Sequence, residues 1–401
     1  MYQDETVMSN SQQTSADRST LLSNYLKKKK ILRIIIGLII VILIVTYATV
    51  IIIKRTTNII KLSTVTTKIT NTITPSTVTT RTTTQEYTTT VATSTTKVQS
   101  KPKCDKWKQH GFTVAGRNGL GNQLNQLYQP YVIYIDDNKS ILIADGINHR
   151  IVEWKHNSDS GQVVAGGNGK GNRLDQLDTP IGVTVDKEKN AIIICDLVNQ
   201  RVIRRFRESQ TNPQILISDI SCNGVAIDKD GSIYVSDLAK CEVRRWKEGD
   251  TDGTLVAGGS GSGSLLNQLE RPGKIYVDEE YSVYVADSHN NRVVKWKKDA
   301  KEGSIVAGGN GRGDHLNQLY FPHGLVVDKM GEIFIADYSN HRVMRWNEGD
   351  TNGRIVVGGN GQGHEPNQLS FPTDLSFDVE GNLYVVDCLN HRIQKYEQCT
   401  E

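Results

Sequence analysis

Four chemically capable side chains fall within six residues in the stretch "IFIADYSNHRVMRW", residues 333 to 346: Asp337, Asn340, His341 and Arg342. A carboxylate, an amide, an imidazole and a guanidinium at that spacing can bind a metal, hold an anion or relay a proton. The cluster is not unique, however. It recurs as "IADGINHRIVEW", "ICDLVNQRVIRRF", "VSDLAKCEVRRW", "VADSHNNRVVKW" and "VVDCLNHRIQKY". The leading aspartates are Asp145, Asp196, Asp237, Asp287, Asp337 and Asp387, spaced by 51, 41, 50, 50 and 50 residues. Catalysis needs one constellation in one place. A constellation distributed at a fixed period reads as architecture. The matching basic residues, Arg150, Arg201, Arg292, Arg342 and Arg392, are expected to pair the aspartates at a joint. The histidine position tolerates Gln200, Asn291 and Cys241, which a metal ligand or general base does not.

Two further anchors keep step with the aspartates. A segment of the form P-x-G-V-x-V-D begins at Pro130, Pro180, Pro272, Pro322 and Pro372, with Cys222 in the proline position once. A valine-rich pair followed by glycines, as in "VVAGGNG" and "IVAGGNG", opens a loop that closes on "NQL" or "DQL". Each unit reads as four short alternating strands. Six such units predict a radial all-β propeller of six four-stranded blades. Trp154, Trp246, Trp296, Trp346 and Tyr396 share one position on the third strand, with Phe206 one residue later.

This pattern, over about residues 111 to 397, resembles the NHL-repeat propellers; the tripeptide is "NHR" at 148–150, 340–342 and 390–392. The resemblance implies the fold, and a family that spans binding modules, ubiquitin-ligase substrate receptors and a lyase. In the similar peptide-amidating lyase, histidines after the strand-one proline face a central zinc. The matching positions here are Tyr131, Ile181, Asn223, Gly273, His323 and Thr373, of which only His323 is a ligand type, whereas a catalytic zinc site takes three. No metal, no cofactor and no catalytic set is expected, and Tyr131 and His323 remain candidate ligand-binding residues at a channel mouth.

The ring must also close. The chain enters with a lone fourth-type strand, "FTVAG", and ends after a third strand, so the first strand is expected to complete the last blade. In that register Cys104 and Cys399 approach one turn, where a disulfide would lock the ring.

Unit three departs from the pattern. The glycine loop before it is shortened to "LISDISCNGV", its arginine is Glu242 and its histidine position is Cys241. Either the repeat has decayed there, or a notch opens between units two and three with Asn223, Lys240 and Glu242 around it as candidate ligand contacts. A Cys222–Cys241 bridge is one pairing to test. Elsewhere the glycine loops run strand to strand and lack the helix that a phosphate cradle needs. Arg312-Gly313-Asp314 in one of them is a product of repeat drift more readily than a recognition tripeptide. Asn138-Lys139-Ser140 is a glycosylation sequon in the first turn of unit one.

Before the repeats the composition changes. Ile34 to Ile53 is twenty residues without a charge, long enough to cross a hydrocarbon core of roughly 30 Å. Lys27 to Lys30 precede it, more densely than Lys54-Arg55 follows, which predicts an N-inside signal anchor. Threonine dominates residues 63 to 100, expected as an O-glycosylated stalk or, without sugars, a disordered spacer. The expected organisation is a cytoplasmic tail (1–30), a transmembrane anchor (31–53), a stalk (54–103) and an extracellular propeller (104–401). The net charge of +3 points to no nucleic-acid partner. The expected activity is non-catalytic recognition of a protein, peptide or glycan. A metal-dependent lyase or hydrolase, and a cytosolic ubiquitin-ligase adaptor, are the alternatives.

Overall fold

The computed structural model describes residues 106–208 and 212–399. The expected tail, anchor and stalk, and Cys104, lie outside the described residues. Among those that are described, no helix is long and apolar enough to cross a membrane.

In the described residues, twenty-four strands form six four-stranded antiparallel sheets. In blade one the strands run Pro130–Ile135, Ile141–Asp145, Arg150–Trp154 and Gln162–Gly166, from the channel outward. Blades two to five repeat this order, and blade six is Pro372–Phe377, Leu383–Asp387 and Arg392–Tyr396 followed by Phe112–Ala115 from the start of the described chain. Phe112 pairs with Lys395 and Thr113 with Gln394, so the ring closes as the repeat register requires. A second contact reinforces the closure, because Trp107 bridges Gln398 and the Cys399 N–H donates to the Lys106 carbonyl at 2.9 Å. Cys399 is disulfide-bonded, and its expected partner lies beyond the described residues.

The second strand of each blade is buried along its whole length, as Ile141–Asp145 and Leu383–Asp387 show. Both its faces are covered because each sheet packs between two others. Val132, Leu142 and Ile151 of blade one, for instance, face Val183, Ile192 and Ile194 of blade two. Burying a large aliphatic side chain of this kind is worth about 1.5–3 kcal/mol, and this repeated apolar seam holds the ring. The third-strand aromatics lie flat on the turn that follows. A Cβ on Gly353 would meet the Trp346 ring at 2.5 Å, so that turn admits only glycine.

Candidate functional site

The recurring acid–arginine cluster is a clamp for the loop that precedes every blade but the third. Asp145 accepts the Tyr128 N–H at 2.7 Å through one oxygen, and through the other accepts Asn148 Nδ2 at 2.8 Å and Arg150 Nε at 2.7 Å. Arg150 also donates to the carbonyls of Asn122, Gln123 and Gln126, which tie the glycine loop down. The same bonds recur around Asp337 and Arg342, where Arg342 reaches Asp314, His315 and Gln318. Asp145, Asp196, Asp287, Asp337 and Asp387 are fully buried. Burial pushes the Asp337 carboxyl up while Arg342 beside it pulls the other way.

The histidine has a role that the sequence did not disclose. His149 sits in the left-handed backbone region, φ 53°, and its Nδ1 accepts the Thr179 N–H of the next blade at 3.1 Å. His341 does the same for Phe371 and His391 for Gln129. At Asn291 the amide Oδ1 takes over, accepting the Phe321 N–H at 3.1 Å. The side chain is thus a neutral acceptor stitching blade to blade. Burial lowers the proton affinity of His341 and His391 accordingly.

Unit three is rebuilt rather than notched. With no loop before it there are no carbonyls for an arginine to bind. Asp237 caps the N–H groups of Ala239 and Lys240, and Glu242 is buried against Arg244 at 2.6 Å. Asn223 turns to blade four and donates to the Pro272 carbonyl at 2.7 Å, while Lys240 is exposed. The expected grouping of Asn223, Lys240 and Glu242 about one notch is therefore not made. Cys222 occupies the proline position because it bonds Cys195, on the second strand of blade two, with Cα atoms 5.4 Å apart. The Cys222–Cys241 bridge is corrected: an intervening strand separates that pair, and Cys241 is a buried free thiol.

The channel has two ends. At the proline end, where the inner strands begin, His323 Nδ1 lies 3.2 Å from the Thr373 carbonyl. A carbonyl only accepts, so Nδ1 carries the proton and Nε2 is the acceptor. Burial lowers the His323 pKa to about 4. Tyr338 lies 6.1 Å from His323, ring to ring. Burial, then Cys388 and Tyr131 nearby, push the Tyr338 phenol up to about 12. Tyr131 packs over Gly146 in the same mouth, where a Cβ would meet its ring at 2.6 Å. One residue deeper, Lys274 and Asp374 form an ion pair that the sequence reading missed, at 2.6 and 2.7 Å to the two carboxylate oxygens. Asp374 is fully buried and also receives the Ile133 N–H at 3.0 Å. Gly324 makes room for it, since a Cβ there would stand 2.6 Å from the Asp374 backbone. Charged residues at the position after Tyr131 and its equivalents, where Gly182, Gly224 and Gly324 stand in other units, were the available signal. This mouth does not fit the zinc of the lyase resemblance, because Asp374 is engaged by Lys274 and His323 stands alone. Among the described residues no group of three His, Cys, Asp or Glu could hold a metal ion.

At the opposite end, where the inner strands run into tight turns, a basin of about 990 Å³ spans blades one, four, five and six. Its lining includes Trp107, Tyr276, Tyr284 and Phe377, with Asp136, Asp137, Asp278, Glu279, Glu280 and Asp328 around them. Trp107 stacks on Phe377 at 5.7 Å and meets Phe334 edge-on at 5.5 Å, while its Nε1–H donates to the Gly381 carbonyl. Asn138 is exposed in the first turn on the basin's rim, and Lys139 beside it pairs with Glu380 at 2.5 Å. In the tripeptide at 312–314, Arg312 lies over the Tyr320 ring at 4.9 Å and the Asp314 backbone carbonyl receives Arg342, while both residues stay exposed.

Solved structures share the architecture. A Bacteroides thetaiotaomicron protein of unknown function is 19% identical with a TM-score of 0.58, covering 72% of this chain and 76% of its own. An auxiliary nutrient binding protein from the same species is 15% identical, TM-score 0.56, with 73% and 76% covered. A gluconolactonase from Xanthomonas campestris is 14% identical, TM-score 0.50, with 74% and 96% covered. At these identities the likeness is one of fold alone. No curated protein matches the chain. The model of the SMP-30/Gluconolactonase/LRE-like region matches residues 132–361 and that of the NHL repeat matches 369–396, the last blade. With more than half its length so matched, the chain belongs to the SMP-30/gluconolactonase/LRE-like family of propellers.

Proposed function

We propose that the protein is a membrane-anchored binding module whose propeller, displayed outside the cell, takes a protein, peptide or glycan at the turn-end basin. The observation that carries this reading is the contrast in room between the channel ends. The proline end is crossed by the Lys274–Asp374 pair, whereas the turn end opens into a basin of about 990 Å³ with aromatic walls. Such a concave surface, part apolar and part polar, is the ordinary form of a binding site. The nutrient-binding propeller among the structural neighbours is consistent with ligand capture on this fold. The buried Cys195–Cys222 bridge suits an oxidising, exported environment.

Two experiments test this. In a binding screen with extracellular extracts and glycan arrays, the wild-type chain is compared with Met330→Glu, a change at an exposed rim residue. Retained binding by the variant would place the site elsewhere. In sealed vesicles, protease added from the cytosolic side should leave the propeller intact; its digestion would overturn the topology.

A second reading, a hydrolase or lyase at the proline end, is favoured by the family match over residues 132–361. It would rest on His323 and Asp374. Lactone or ester hydrolysis that disappears in His323→Ala while the fold persists would establish it.

A further inference from the structure

The basin has two chemically different walls. Blade four contributes Asp278, Glu279 and Glu280, and blade one adds Asp136 and Asp137. Blades five and six contribute the apolar Phe377 and the side chains of Met330 and Val379, exposed by 82% and 64%. Asp328 and Asp378 also line this side, each holding N–H groups of its own turn. Two lysines lie among the lining residues, Lys106 and Lys329. Lys106 is neutralised by Glu332 at 2.7 Å. Asp278 and Asp136 each spend one oxygen on the N–H groups of their own turns, which fixes their carboxylates in place. Asp137 is paired with the exposed Lys187 at 2.9 Å, whereas Glu279 and Glu280 are exposed; Lys229 donates to the Glu279 backbone carbonyl at 2.7 Å and stands 4.0 Å from its carboxylate.

Resting on the reading that the basin binds, we propose that its occupant is a basic peptide segment of a partner protein. The ammonium or guanidinium heads of the segment meet the carboxylates of blades one and four, and its aliphatic residues and stems lie on the side of Met330, Val379 and Phe377. The charge is complementary: a concave surface of one sign concentrates ligands of the other. Long cationic side chains also match a wall that is apolar on one side and acidic on the other, because their stems cover apolar surface while their heads stay at the charge. The aromatic faces here already receive cations. Lys106 Nζ stands 4.9 Å from the Trp107 ring and Lys295 Nζ 5.0 Å from Tyr284. An acidic segment would meet like charge across both blades, and a neutral glycan would leave the acid wall unused.

The test uses the full-length chain in a neutral detergent. Three labelled peptides of equal length alternate valine and serine with lysine, glutamine or glutamate, and binding is read by fluorescence anisotropy. The lysine peptide should bind most tightly, and its affinity should fall about tenfold or more between low and high salt. The double variant Glu279→Lys/Glu280→Lys, at two exposed turn residues, should weaken it by about tenfold, while Met330→Glu should not favour the glutamate peptide. Equal binding of the lysine and glutamine peptides, or no response to the double variant, overturns the basic-peptide inference. If the extract screen still finds a ligand lost in Met330→Glu, the basin reading survives that result. If no peptide binds and the screen finds none either, both fail. Repeating the measurement with Asn138→Gln shows whether a sugar on the rim, and not the charge, governs access.

Discussion

The junction between blades two and three differs from the other junctions, and the difference separates what a blade needs from what it usually has. At the other junctions a glycine loop is clamped by an aspartate–arginine pair. At all of those but the one between blades three and four, where Cys241 stands, a histidine or asparagine accepts an N–H from the next blade. Between blades two and three the loop is missing, the arginine is Glu242, and Gln200 takes the histidine position. A covalent bond, Cys195–Cys222, stands there instead, beside the Gln200 carbonyl that receives the Ile220 N–H and the Glu248 carboxylate that receives Arg204 and Lys189 of blade two. The loop, its clamp and its arginine are lost as one unit because each exists to satisfy the others.

Breaking the clamp should cost most. Arg342→Ala strands a fully buried Asp337, and we expect a loss of about 3–5 kcal/mol in urea unfolding. Replacing both Cys195 and Cys222 by alanine releases a bridge between residues 27 apart, for which chain entropy predicts about 3–4 kcal/mol. Reductant under denaturing conditions should cost the wild type more than this, because it also opens the disulfide of Cys399. Asp237→Ala, at the blade without a loop to clamp, should cost about 1 kcal/mol, since it removes only turn caps. A loss as large as that of Arg342→Ala would show that the two kinds of junction are equivalent after all.

Acid should distinguish the junctions more gently. His341, His391 and His323 have folded pKa values below the unfolded value near 6.5, the last at about 4. The unfolded chain then binds more protons as pH falls. Stability is full above about 6.5 and declines from there as pH drops through the folded values. His341→Asn and His391→Asn keep an acceptor, as Asn291 does, and should flatten that decline in thermal melts from neutral pH to about 4.5. A last test is Glu242→Arg, which restores the repeat consensus but sets a second cation beside Arg244. It should not stabilise blade three, because no loop carbonyls await it; a gain of about 1 kcal/mol or more would mean that the arginine acts without the loop.

Periodicity made the ring legible. The aspartate ruler counts the blades, and the unmatched strand at Phe112 announces how they close. What periodicity hides is whatever joins residues from different repeats without regard to period. Cys195 lies in the middle of an ordinary-looking second strand, and nothing in its neighbourhood says that Cys222 of the next blade stands 5.4 Å away. Lys274 and Asp374 are separated by two units and meet only across the channel. The basin draws one turn from each of four blades and adds Trp107, which belongs to no repeat. The candidate set fared unevenly for the same reason. Tyr131 and His323 share a repeat position and a mouth, while Lys240 and Glu242 were grouped by their nearness in an aberrant unit. They are set apart because Lys240 lies exposed in the turn, before the left-handed Cys241, whereas Glu242 is buried on the third strand.

The closure of blade six also orders events in time. Thr113 hydrogen-bonds Gln394, 281 residues later. During synthesis the first strand of the propeller therefore emerges with its edge unpaired and waits until the strand holding Gln394 has left the ribosome, roughly 15 seconds to a minute at ordinary elongation rates. A ring built this way cannot be finished blade by blade. Truncation before Arg392 would remove the strand that the first one needs, and the molecule would be left open at that seam.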